Sequence, residues 1–322
     1  MSTPVPGGSP DADDFVYDEM SYFSENCDEY GLELPDDLVV QRVDHALPDG
    51  RTLSALRWGD GSPRLVLVHG GAQNAHTWDT VALASWPVPV LAIDLPGHGR
   101  SDWRIDGGYG PRENADDLAV TIGSLAPEAE VLVGMSLGGL TATAIAARHP
   151  GLVRRLVVVD VTPGVNRDKA AEVHAFIEGP QTFPTFADIF DRTVEFNPTR
   201  SPESLRRGIL HNAHRRPDGS WQWNYDRGLT DLADGLERPG TPEEGVVPGG
   251  PDLWQDVSDV RVPYTLVRGS LSPVVDDDDV AELRRRQPDV RVVVVDGAGH
   301  SVQGDRPLEL AALLADELNA SS

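Results

Sequence analysis

The sequence predicts an α/β domain built on a mostly parallel sheet with helices on both faces. Three observations predict it. Short apolar runs recur along the chain, and most are followed by a helix-like stretch. These runs are apolar throughout rather than alternating, which is the pattern of strands covered on both faces. The rhythm breaks between residues 165 and 255 and then resumes, so the break reads as an insertion into one domain.

Taken in order, the regular pattern begins at residue 38. LVVQRVDHALPDG and RTLSALRWGDG read as two alternating runs joined by Pro48-Asp49-Gly50, a hairpin. RLVLVHG is a buried strand ending in His69-Gly70, and AHTWDTVALAS is helix-like. PVLAIDLPGHGRSD is the next buried strand with a Gly/Pro loop, and residues 112–125 read as an amphipathic helix. VLVGMS and VRRLVVVDVTPG are two further strands, separated by the helix LGGLTATAIAARHPG. The inserted segment, 165–255, carries helical pieces such as RDKAAEVHAFIEG and SPESLRRGILHNAH, an aromatic run Trp221 to Tyr225, and a loop at 239–252. VPYTLVRGS, DDDDVAELRRRQP, VRVVVVDGAGH and PLELAALLADELNA complete the domain. The expected organisation is therefore an arm at 1–37, a core at 38–164 and 256–322, and a cap at 165–255 inserted after strand 6.

Charge and composition exclude several classes. The net charge is −25 over 322 residues, and Lys169 is the sole lysine. So acidic a chain is a poor match for nucleic acid or an anionic membrane. No apolar run approaches the ~20 residues of a membrane span. The N-terminus lacks the basic and apolar regions of a secretory signal, so a cytoplasmic location is expected. Cys27 is the one cysteine, so neither an intrachain disulfide nor a Cys-based metal site is expected. Residues 1–41 hold 11 Asp or Glu and no Lys or Arg. Residues 1–12 read as a solvated tail. Phe15, Tyr17, Met20, Tyr22 and Phe23 give residues 13–30 the means to pack on the domain or to cover a partner.

One stretch carries chemistry. Gly134-Met135-Ser136-Leu137-Gly138 lies where a buried strand turns abruptly into a helix. A Gly-x-Ser-x-Gly in that setting is the nucleophile-elbow pattern. The serine stands on a strained turn, glycines keep Cβ atoms out of the neighbouring backbone, and the helix N-terminus favours developing negative charge.

With that elbow, the chain resembles the α/β-hydrolase fold family, from residue 38 to 318. His69-Gly70-Gly71, the loop Asp94 to Ser101, GMSLGG around Ser136 and Gly297-Ala298-Gly299-His300 fall in the family's order. The resemblance implies a mostly parallel central sheet flanked by helices, a mainly helical cap, and a serine hydrolase. A serine needs a base within hydrogen-bond reach. His300 is the one histidine of nine that follows the final strand, and the family's chain order is Ser, acid, His. His69 and His98 are expected to brace loops. The resemblance places the oxyanion donors at the backbone N–H of Leu137 and of Gly71, with Ala72 the alternative to Gly71.

The acid departs from the commonest family pattern. Many relatives carry aspartate after the strand that follows the cap, where this chain has Ser272. Asp160 closes the strand before the cap, a second location that some esterases use. An aspartate ending an apolar strand needs a partner such as His300. Asp160 is the preferred acid, and Asp276 or a neighbour among Asp276 to Asp279 is the alternative. Those four open a helix, where carboxylates also suit the dipole. Ala72, Trp78 and Trp223 are expected to line the substrate pocket, among a wider set of cap aromatics. The implied activity is hydrolysis of a small-molecule carboxylic ester, thioester or lactone through an acyl-enzyme on Ser136. A C–C bond hydrolase with the same triad and a non-catalytic ligand receptor are the alternatives. No dinucleotide fingerprint, P-loop or calcium-loop spacing occurs, so no cofactor and no metal are expected. The sequence leaves the oligomeric state open.

Overall fold

The computed structural model describes residues 10–12, 15–226 and 251–320. Helix α1 (Phe23–Tyr30) precedes strands β1 (Val40–Ala46), β2 (Thr52–Trp58) and β3 (Leu65–Val68). Then come α2 (Asp79–Ala84), β4 (Val90–Ile93), α3 (Pro111–Leu125), β5 (Val131–Met135), α4 (Leu137–Arg148) and β6 (Arg155–Val159). Between β6 and the next core strand lie α5 (Ala171–Ile177), β7 (Thr182–Phe183), α6 (Phe186–Phe196), α7 (Pro202–Asn212), β8 (Ala213–Arg215) and β9 (Trp221–Trp223). The chain closes with α8 (Pro251–Asp259), β10 (Tyr264–Gly269), α9 (Asp277–Arg286), β11 (Arg291–Val295), α10 (Val302–Asp305) and α11 (Pro307–Asn319).

Eight strands form one sheet in the order β1-β2-β4-β3-β5-β6-β10-β11. The β1–β2 and β2–β4 pairs are antiparallel; the others are parallel. Side chains of a strand point alternately to its two faces, and here both faces are buried. Val66, Val68, Leu132 and Val158 pack with α3, α4, α8 and α9. Leu65, Leu67, Val133 and Val159 pack with α1, α2 and α11. Each fully buried Val or Leu contributes about 1.5–3 kcal/mol through removal from water. That is why these runs read as continuous apolar segments.

The cap is helical with a small antiparallel sheet, β7-β9-β8, which the sequence pattern did not reveal. Strands of two or three residues are too short to show a period of two. Its centre is aromatic: Phe183, Phe186, Phe190, Trp221, Trp223 and Tyr225 are all buried together. A capping box, Thr185 with Asp188, opens α6. At its far end the expected cap limit, residue 255, falls inside α8. That helix packs Leu253 and Val257 into the core. The loop predicted at 239–252 lies mostly outside the described residues.

The arm is not a free tail from residue 15 onward. Phe23 packs on Trp58 with ring centroids 4.8 Å apart, Cys27 is buried, and Tyr22 joins the cap's aromatic cluster. Three of its acidic residues pair with arginines. Glu25 pairs with Arg206, Glu29 with Arg207, and Glu19 with both Arg42 and Arg100. Of the two roles open to residues 13–30, the described ones pack on their own chain, between core and cap.

Candidate active site

Ser136 sits between β5 and α4 with φ 51° and ψ −122°. A Cβ on Gly134 would lie 2.2 Å from the carbonyl oxygen of Gly138, and one on Gly138 would lie 2.4 Å from that of His69. Both glycines are therefore required for the elbow to close. Among the described residues, the non-glycine positions with positive φ are Ala72, Ser136 and Asp160. All three belong to this one site, so the strain of the backbone is concentrated where the sequence places the chemistry.

Three separate segments converge. His300 Nε2 lies 3.1 Å from Ser136 Oγ, and His300 Nδ1 lies 2.8 Å from Asp160 Oδ2. Asp160 is fully buried, and its carboxylate is filled: the backbone N–H of Gly269 donates to Oδ1 at 2.9 Å, and the Ser272 hydroxyl donates to Oδ2. Ser272 stands where many relatives carry the acid, and here it holds the acid that replaces it. Asp276 instead caps α9, accepting from the backbone N–H of Asp279, and both pair with Lys169. Asp277 pairs with Arg268.

The loop expected to hold the oxyanion follows β3. Neither the N–H of Leu137, in the first turn of α4, nor that of Gly71 has an acceptor among the described residues. Ala72 is different: its N–H donates to His98 Nε2 at 3.1 Å, so the alternative donor is already engaged. His98 and His69 are the loop braces their motif suggested. His69 Nε2 accepts from the N–H of Leu95 at 2.9 Å. Burial lowers the pKa of both, that of His69 to about 3, which keeps them neutral acceptors.

A cavity of about 190 Å³ opens above Ser136. Phe176, Ile177 and Phe196 roof it from the cap, and Leu271 and Val274 wall it from the core. Ala72 lines it as expected. Trp78 does not. It ends the short 3-10 turn Ala75–Trp78, which carries its ring beneath the loop into the core, where it is fully buried. Trp223 also misses this cavity. It packs against Phe176, Phe183 and Tyr225 and lines a neighbouring one.

Residues 65–313 match the alpha/beta hydrolase family. The chain belongs to that family. It is 43% identical over 313 residues to the esterase Rv0045c of Mycobacterium tuberculosis, covering 94% of this chain and 96% of that one. A structure of that esterase, described with its transition metal inhibition, superposes with a TM-score of 0.80 at 42% identity, covering 95% and 100% of the two chains. A 2-(acetamidomethylene)succinate hydrolase of Mesorhizobium japonicum is 30% identical over 84% of this chain and 92% of its own. No helix among the described residues is long and apolar enough to cross a membrane.

Sequence reasoning missed several residues of this alpha/beta hydrolase. Asp305 accepts from the backbone N–H of Gly299 at 2.7 Å and from the Thr199 hydroxyl, tying the His300 loop to the cap. Gln73, in the oxyanion loop, accepts from the N–H of Gly70 at 3.3 Å. A polar residue three positions into the Gly-Gly loop was the available signal. A second histidine cluster was missed because it joins one short turn to a residue far along the chain. His76, Asp79 and His211 bring nitrogen and oxygen atoms within 4.8 Å of one another. Their imidazole rings are stacked 3.8 Å apart and 8° from parallel, so their in-plane lone pairs do not converge on one point. His76 instead lies between two carboxylates, Nδ1 2.8 Å from Asp79 and Nε2 3.0 Å from Glu19. Burial alone would lower its pKa, but Asp79 and Glu19 outweigh burial and hold it at about 9. Burial, then the charge of His76, drives His211 well below its ordinary value.

Proposed function

We propose that this alpha/beta hydrolase cleaves a small-molecule carboxylic ester, thioester or lactone through an acyl-enzyme on Ser136, in the cytoplasm and without a cofactor. The observation that carries the reading is the unbroken chain from Ser136 Oγ to His300 at 3.1 Å and on to Asp160 at 2.8 Å. The 43% identity to an esterase over nearly the whole chain supports the ester as the bond broken, ahead of C–C cleavage by the same triad.

Ser136 Oγ attacks the carbonyl carbon as its proton passes to His300 Nε2. Asp160 holds His300 by Nδ1 and stabilises the imidazolium that forms. The N–H groups of Leu137 and Gly71 donate to the carbonyl oxygen as it becomes negative, a role worth ~3 kcal/mol per donor in comparable sites. The C–O bond breaks as His300 returns its proton to the leaving alcohol. Water then attacks the acyl-enzyme as its proton passes to His300; the bond from the acyl carbon to Ser136 Oγ breaks, His300 returns the proton to Oγ, and the acid leaves. The test is hydrolysis of p-nitrophenyl butyrate by wild type beside Ser136→Ala, with a fluorophosphonate to label the nucleophile. Turnover and labelling are expected in wild type and lost in the variant. Equal turnover by both would overturn the reading.

A further inference from the structure

A second cavity, of about 110 Å³, lies beside the one that holds Ser136. Ala72, Gln73, Phe176 and Asn197 line both, so the two share a wall at the oxyanion loop. The rest of its lining comes from α1, the turn before α2 and α2 itself, α6, the loop that carries Arg200, α7, β9 and α10. None of those residues has a part in the chemistry above.

The polar atoms of this cavity are unusual. Asp79 Oδ1, Arg200 Nε, His211 Nε2 and Gln303 Oε1 are all buried without a hydrogen-bond partner among the described residues, and all four residues line it. Native folds pair such atoms with protein, water or ligand, so their concentration at one cavity marks a place built to receive polar groups.

Arg200 sets the sign of that group. Its neighbours Arg206 and Arg207 each pair with a carboxylate. Arg200 donates to the Ser204 hydroxyl at 2.7 Å but has no carboxylate within 4.0 Å among the described residues. The charges around it are already engaged. Glu29 is taken by Arg207 and Ser201, Asp305 accepts from Thr199 and Gly299, and Asp79 faces the cationic His76. A guanidinium in this position offers a planar fork that matches a carboxylate.

We propose that the second cavity receives a free carboxylate carried by the substrate, recognised by Arg200, so that the enzyme prefers esters bearing a second, anionic end. This rests on the ester-hydrolase reading. It adds a substrate class to that reading. Gln303 Nε2 already donates to Thr77 Oγ1 at 3.2 Å, which leaves its amide oxygen for a hydroxyl or amide of the same ligand.

The test compares kcat/KM on the p-nitrophenyl half-esters of succinate, glutarate and adipate with that on p-nitrophenyl butyrate. A second arm, 3-carboxyphenyl against phenyl butyrate, places the charge on the leaving group instead. In Arg200→Gln the charged-to-neutral ratio is expected to fall about tenfold or more in one arm, the effect of losing a charge-assisted hydrogen bond. Gln303→Glu, which adds a like charge while leaving Arg200 in place, is expected to lower the same ratio should Arg200→Gln fail to fold. A ratio that stays within roughly twofold of wild type in both arms, the size of a screened surface-charge effect, overturns the proposal. Calorimetry of glutarate binding to Ser136→Ala separates the two readings. Glutarate binding that Gln303→Glu weakens, in a protein that hydrolyses none of these esters, sinks the hydrolase reading and leaves the subsite. Ester turnover without glutarate binding sinks the subsite alone.

Discussion

Two histidines in this protein make the same contact and do opposite things. His300 meets Asp160 through Nδ1 at 2.8 Å, and His76 meets Asp79 through Nδ1 at 2.8 Å. The difference lies at the other nitrogen. His300 Nε2 faces a hydroxyl, Ser136 Oγ, and the cavity. His76 Nε2 faces a second carboxylate, Glu19, and is almost fully buried. One carboxylate orients an imidazole and leaves its other nitrogen facing a hydroxyl. Two carboxylates keep it an imidazolium, which can only clamp. A His–Asp pair is therefore no sign of catalysis until its third partner is known.

The largest effects should come from breaking the first pair. Asp160→Asn is expected to lower kcat by about 10⁴-fold with the fold retained, since an amide no longer holds the required tautomer. Steady-state kinetics with a circular dichroism control check this. Adding Ser272→Asp to Asp160→Asn sharpens the point, because Ser272 already contacts Asp160. The double variant is expected to recover at least about tenfold of the lost rate, within the range that a well-placed acid–base partner supplies. No recovery would show that the β10 end cannot present a carboxylate to His300.

Breaking the second pair should act on stability instead. Glu19→Gln leaves His76 with one carboxylate and is expected to cost about 2–4 kcal/mol in denaturant unfolding. The pH dependence has a worked sign. His76 is raised from 6.5 to about 9 on folding, so its contribution is complete below pH 6.5 and lost as pH rises through about 9. Burial tends to raise Glu19, but His76 and Arg42 outweigh it and lower Glu19 from 4.5 to about 2. Its contribution is complete above pH 4.5 and lost as pH falls through about 2. The clamp is fully formed between these limits, at pH 4.5 to 6.5. In Glu19→Gln the folded pKa of His76 falls, so the alkaline loss should be complete at lower pH. The smallest effect belongs to Asp276→Asn. Asparagine caps a helix about as well as aspartate, and Asp276 makes no contact with His300, so turnover should stay within roughly twofold of wild type.

The same contrast explains how much of the molecule was legible. The sheet was readable because strands buried on both faces leave continuous apolar runs. Ser136 was readable because only Gly134 and Gly138 let the elbow close, and His300 because the last strand fixes its place. Asp160 was readable because a carboxylate ending a buried strand demands a partner. The clamp was not: Glu19, the His76–Asp79 turn and His211 come from three distant segments, and only His76 and Asp79 share a local spacing. Trp78 misled for a related reason. Proximity in sequence to the oxyanion loop does not say to which side a tight turn throws a ring. Ser272 was visible as a departure, but its bond to Asp160 needed two strand ends side by side.

The arm has a consequence for the order in which this protein is assembled. Tyr17 reaches His211 across 194 positions, Glu29 reaches Arg207 across 178, and Asp11 reaches Trp221 across 210. These arm residues thus bond partners synthesised 178 to 210 positions after them. Glu19 and Phe23 can meet Arg42, Arg100 and Trp58 early, but the bonds to the cap wait until the first six strands of the core are made. Docking of the arm then closes core and cap together. Changes at the N-terminus, a fusion or a trimmed arm, should accordingly register as a loosened cap before they disturb Ser136.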